Sequence, residues 1–155
     1  MTTSFISKLS IGAVVSMLAI APAAAQSIAG TWEFNVAKSK STDPLFKSHT
    51  RVYEVTGQQE TMTGTGVNAQ GQPINFKFTA SLDGKDQPFQ FPGADAIVLT
   101  PVDAWTVNFV NKKAGQVVVS GTRVISKDGK IMTIVSKGTN PAGNPLDAIW
   151  VFDKR

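Results

Sequence analysis

Cysteine is absent from the 155-residue chain. That removes disulfides, thiol nucleophiles and thiolate metal sites together. Histidine occurs once, as His49. A multi-histidine metal centre is therefore impossible, and no Asp/Glu cluster stands in for one. Charge is also sparse: 17% of residues are Asp, Glu, Lys or Arg, and the formal net charge is +4. No basic run exceeds Lys112-Lys113, so a nucleic-acid partner, which needs a concentrated basic stripe, is not expected. There is no G-x-S-x-G elbow, phosphate loop or H-E-x-x-H segment, and no spacing that proposes a carboxylate pair. Thr61-Met62-Thr63-Gly64-Thr65-Gly66 is glycine-containing but reads as strand with no helix behind it. These absences predict a protein without catalytic residues, cofactor or metal.

What is present begins with a targeting segment. Lys8 is the only charge before Glu33. An apolar run of about a dozen residues follows it, and Ala21-Pro22-Ala23-Ala24-Ala25 supplies small residues. This order is that of a secretory signal peptide, and the run is too short to span a membrane. Residues 1–25 are thus expected to be removed. Residues 26–155 would form one exported domain, periplasmic or extracellular.

The remainder reads as short β-branched or aromatic strands divided by turn residues. Candidates are 30–34, 50–55, 61–67, 73–80, 97–100, 105–110, 116–125, 131–137 and 148–153, with a further short piece at 87–90. In the fourth, Ile74, Phe76, Phe78 and Ala80 alternate with Asn75, Lys77 and Thr79, giving one apolar and one polar face. Gly71, Gly84, Gly129 and Gly143 each sit third in a polar four-residue turn, where a tight hairpin needs positive φ. Sequential hairpins predict an antiparallel up-and-down meander. Closing it into a small barrel of eight to ten strands removes the sheet edges. Two connections are irregular: the long polar loop at 35–48, and the Pro-rich stretch at 86–93 with Phe89 and Phe91. The first is read as a solvated crossover or a binding loop, the two rings as plugs of the core or as part of a working surface.

Gly30-Thr31-Trp32 opens the first strand and is followed by that long loop and the meander. In this it resembles the lipocalin and wider calycin group. The resemblance implies a tryptophan closing one end of the barrel under a late basic residue, here Lys154, Arg155 or Arg123. The stretch from Gly30 to Lys40, G-T-W-E-F-N-V-A-K-S-K, and the D-G-K turns also resemble a family of small exported bacterial proteins without settled activity.

Barrels of about eight strands are either filled by side chains or hold one small ligand. The candidate ligand-binding residues are Arg51, Tyr53 and Arg123 as polar contacts, with Phe76, Phe78, Trp105 and Phe109 as apolar wall. Arg51 and Tyr53 are two apart and share a strand face, and Arg123 shares one with Val117, Val119 and Ile125. An arginine inside a barrel needs a partner. A ligand carboxylate can be that partner; otherwise Arg51 and Arg123 face solvent or pair with Glu33, Glu54 or Glu60. The first expectation is a monomeric, non-enzymatic barrel binding a small hydrophobic or amphiphilic molecule, with anions among the candidates. The alternative is a protein-interaction or inhibitor module with a filled core. A membrane-embedded barrel is disfavoured, because most candidate strands are shorter than the ~9–11 residues such walls use.

Overall fold

The computed structural model describes residues 28–155. The expected signal peptide lies outside the described residues. The described chain is all-β apart from a helical Ile28 at its start and a 3-10 turn at Val36–Lys38. Its strands are β1 (Gly30–Phe34), β2 (Lys40–Ser41), β3 (Ser48–Thr56), β4 (Gln59–Val67), β5 (Pro73–Ser81) and β6 (Gln87–Phe91). They continue as β7 (Ala94–Pro101), β8 (Thr106–Lys113), β9 (Gln116–Ile125), β10 (Ile131–Thr139) and β11 (Pro145–Lys154).

Ten strands form one antiparallel path in the order β5-β4-β3-β1-β11-β10-β9-β8-β7-β6, and the short β2 pairs with β11. The first strand lies between β3 and the last, and this pairing curls the meander into a nearly closed barrel. No backbone ladder joins β5 to β6 among the described residues. Side chains bridge that seam instead: Phe76 meets Phe91 at 5.0 Å and Phe78 meets Phe89 at 5.1 Å, both edge to face. Each such pair adds about 0.5–1.5 kcal/mol beyond its buried area.

The strands run longer than the β-branched runs that mark them. β3, β4, β5 and β10 have nine residues, and β9 and β11 have ten. Strand length is therefore no ground against a membrane wall. The outer face is informative instead. Its apolar positions Val52, Val124, Val135 and Ile149 are interspersed with Glu54, Lys77, Lys137 and Asp147, with Lys137 and Asp147 ion-paired at 3.2 Å. A lipid-facing wall carries a continuous apolar band. No described helix is long and apolar enough to cross a membrane.

The end of the barrel holding both chain termini of the described region is shut by Trp32, which is fully buried. Its Nε1 donates to the Ile28 carbonyl at 2.7 Å, and Lys154 Nζ lies 5.0 Å from the ring centroid. Lys154 thus takes the place that the resemblance left open among three basic residues. Arg155 instead pairs with Glu33.

Candidate ligand-binding site

The other end is a mouth built from three segments: residues 42–47 of the first long loop, the β6–β7 turn and the β10–β11 turn. Asn140 Nδ2 donates to Asp43 Oδ1 at 2.9 Å, linking two of them. Gly93, with φ +82, lies against Pro141 so closely that an added Cβ would stand 2.9 Å from its ring. Only glycine allows both that backbone angle and that approach. Beneath the mouth is a cavity of about 260 Å³. This is slightly below the ~300–1,000 Å³ usual for ligand pockets, so an occupant would be small.

Strand alternation explains the lining. On β3 the inward phase is His49, Arg51, Tyr53 and Val55. On β5 it is Phe76 and Phe78, and on β8 it is Val107, Phe109 and Asn111. Phe46 and Trp150 complete an aromatic wall near the mouth, while Phe89 and Phe91 line it along the seam.

The two inward arginines differ in one decisive respect. Arg123 forms a fork onto Glu60, Nη1 to Oε1 and Nη2 to Oε2, both at 2.7 Å. Burial alone would lower its pKa. The Glu60 charge and the paired hydrogen bonds outweigh that and hold it above the ordinary arginine value. Arg51 is equally buried, at 8% exposure, yet among the described residues no carboxylate pairs with it. Its Nη1 reaches the Tyr53 hydroxyl at a long 3.5 Å, and its Nε has no hydrogen-bond partner. Its guanidinium lies 4.7 Å from the Phe152 ring centroid and 5.8 Å from that of Trp150. Such cation–π contacts recover only about 1–2 kcal/mol. Below the rim residue Asp43, the inner wall thus carries two guanidinium groups and one carboxylate.

His49, two residues before Arg51, is 2% exposed and neither ring nitrogen has a partner. It is boxed by Phe46, Phe76 and Phe152 at 4.8–5.6 Å. Burial first, and the Arg51 charge second, push its pKa down to about 2. The imidazole is therefore neutral and stands behind the cavity wall.

Six of the seven residues singled out from the sequence lie on the cavity wall: Arg51, Tyr53, Phe76, Phe78, Phe109 and Arg123. Trp105 does not. It sits in the β7–β8 turn, 37% exposed, where its backbone N–H donates to Asp103 Oδ1 at 2.8 Å. The turn ends before the inward phase of β8 begins. Val117 also departs from expectation. A bulge pairs Asn111 with Val119 and Lys112 with Val117, so the alternation counted from Arg123 breaks at Val118. Val117 is left 60% exposed while Val118 and Val119 both face the cavity. Asn111 is not among the residues expected from the sequence, although the alternation of its strand places it two residues beyond Phe109. Trp150 also lines the cavity, two residues before Phe152.

No protein-family model matches the chain, and no curated protein matches it in sequence. The likeness to small exported bacterial proteins therefore stands on its motif residues alone. Solved structures do resemble the fold. The fluorescent protein UnaG superposes with a TM-score of 0.59 at 14% identity, over 84% of this chain and 98% of that one. Zebrafish ileal bile acid-binding protein, solved with cholic acid, superposes with a TM-score of 0.51 at 11% identity, over 83% and 99%. At such identities the likeness carries the architecture alone: this chain is a calycin-like β-barrel.

Proposed function

We propose that this protein is a non-enzymatic, exported and monomeric barrel that holds one small amphiphilic anion. The apolar part lies along Phe76, Phe78 and Phe109, and the anionic group meets Arg51 beside the Tyr53 hydroxyl. One observation carries this reading: a guanidinium buried on the cavity wall without a carboxylate, in the same barrel where Arg123 has one. A buried charge of this kind is costly unless something of opposite sign meets it. The cavity weighs against the alternative of an interaction module with a filled core. A barrel of the same architecture is solved with cholic acid, itself a carboxylic acid. Export rests on Lys8, the apolar run and Ala21 to Ala25, and the interspersed outer charges support a barrel in water.

The test is calorimetric titration of the protein, purified from its own export route, with decanoate and with the neutral decanol. Its mass should correspond to a start at Gln26. Decanoate is expected to bind at least tenfold more tightly than decanol. Arg51→Met should erase that preference, because a charge-assisted hydrogen bond contributes about 1.5–3 kcal/mol, or roughly 10–100-fold. The variant should fold normally, since a flexible apolar side chain replaces a lone buried charge. No binding of decanoate, or undiminished binding by the variant, would overturn the reading.

A further inference from the structure

We infer that the bound molecule has a second polar end, a hydroxyl hydrogen-bond donor, and that Asn111 is the residue that selects for it. This rests on the anion site at Arg51. The amide oxygen Oδ1 of Asn111 is buried and has no hydrogen-bond partner among the described residues, and the residue lines the cavity. An amide oxygen accepts, so its complement is a donor. Buried polar groups are overwhelmingly partnered, and an exception in a cavity wall marks where a ligand group goes.

The placement is fixed rather than incidental. Asn111 pairs with Ile97 on β7 and with Val119 on β9, on the last regular step before the bulge. The bulge presents both Val118 and Val119 to the cavity beside it. The next residue, Lys112, reaches Asp86 with its Nζ at 2.7 Å. Bulges commonly re-aim side chains at the rims of barrels. Here the result is a buried, unpartnered acceptor beside the apolar Ile97, Val118 and Val119.

Position around the ring sets the ligand's shape. Along the hydrogen-bonded path, β8 is the fifth strand from β3 in a ring of ten. Asn111 and Arg51 therefore lie on opposite walls. Ten tilted strands ~4.8 Å apart enclose a ring roughly 20 Å across between backbones. An extended molecule with its acid at one end and its hydroxyl at the other can touch both. A simple fatty acid satisfies only Arg51.

The experiment compares decanoate with ω-hydroxydecanoate by calorimetric titration, for the natural protein and for Asn111→Leu. The natural protein is expected to bind the hydroxy acid at least as tightly as decanoate, although the hydroxyl must be desolvated. In Asn111→Leu the ratio of the two dissociation constants should shift at least tenfold towards decanoate. If both acids bind the natural protein and decanoate is strongly preferred, the inference about Asn111 falls while the Arg51 site stands. The same holds if the ratio is unchanged in a normally melting Asn111→Leu. If neither acid binds the natural protein, the Arg51 site falls and this inference falls with it.

Discussion

His49 is a base held where it cannot take up a proton. Its ring is walled by Phe46, Phe76 and Phe152, and the Arg51 charge stands two residues away on the same strand face. The folded pKa is about 2 against an ordinary 6.5. The unfolded chain binds the proton below about pH 6.5 and the folded chain does not. Stability is therefore unaffected by this residue above pH 6.5. It declines as pH falls towards 2, by up to ~1.4 kcal/mol per pH unit. Urea unfolding at pH 7.5 and pH 5.0 should show a loss of about 2 kcal/mol in the natural protein. His49→Leu should be nearly flat over the same window; an equal loss would assign the pH dependence to other groups. The same strand shows what sequence can and cannot reveal about single residues. That Arg51 and Tyr53 share a face follows from a spacing of two. That Glu60, rather than Glu33 or Glu54, neutralises Arg123 does not, since the two residues lie 63 positions apart and meet only across the closed barrel. The identity of the unpaired arginine, on which the site depends, is hidden for that reason.

Strands are where the sequence was most legible, because period-two alternation is a local signal. Gly71, Gly84, Gly129 and Gly143 all adopt positive φ in the turns where hairpins required it. Strand ends were less visible. Backbone pairing carries β10 on through Gly138 and Thr139, opposite Leu146 and Pro145, although neither glycine nor proline favours a strand. The two-residue β2 has too little pattern to be seen at all, and the bulge that turns Val117 outward has no signature in a run of three valines. Glycine within the strands has a separate purpose, which is close approach. At Gly138, where φ is +156, a Cβ would overlap the Val118 carbonyl oxygen and the Val119 backbone beside the bulge. At Gly115, in the β8–β9 turn with φ +78, a Cβ would meet nothing within 4 Å. Gly115→Ala is thus expected to cost about 1–2 kcal/mol, from backbone conformation alone. Gly138→Ala should cost more, ~3 kcal/mol or above, because β9 and β10 must also separate. Urea midpoints of the two variants test the order. Equal losses would mean that the β9–β10 contact yields without cost.

At the scale of the whole molecule, the barrel is a ring with one weak joint. Among the described residues, every neighbouring pair along the path from β5 to β6 is held by backbone hydrogen bonds, and only the join between those two strands is not. It is held by Phe76 and Phe78 against Phe91 and Phe89, rings that also line the cavity. Side-chain contacts leave the outer edges of β5 and β6 without a strand partner among the described residues, whereas β9 and β10 are each bonded on both sides over most of their length. β6 is weaker still, since its pairing with β7 is irregular between Pro88 and Phe91. Local opening should therefore begin at the seam and cost less than global unfolding. Hydrogen exchange followed by mass spectrometry is expected to show peptides from β5 and β6 exchanging fastest among the strands. Those from β10 should exchange only with the global transition. Saturation with decanoate should slow the seam, because an occupant packed on Phe76 and Phe78 steadies both edges. Equal protection of β6 and β10 would mean that the phenylalanine contacts close the ring as firmly as a backbone ladder does. The ring would then have no preferred place to open.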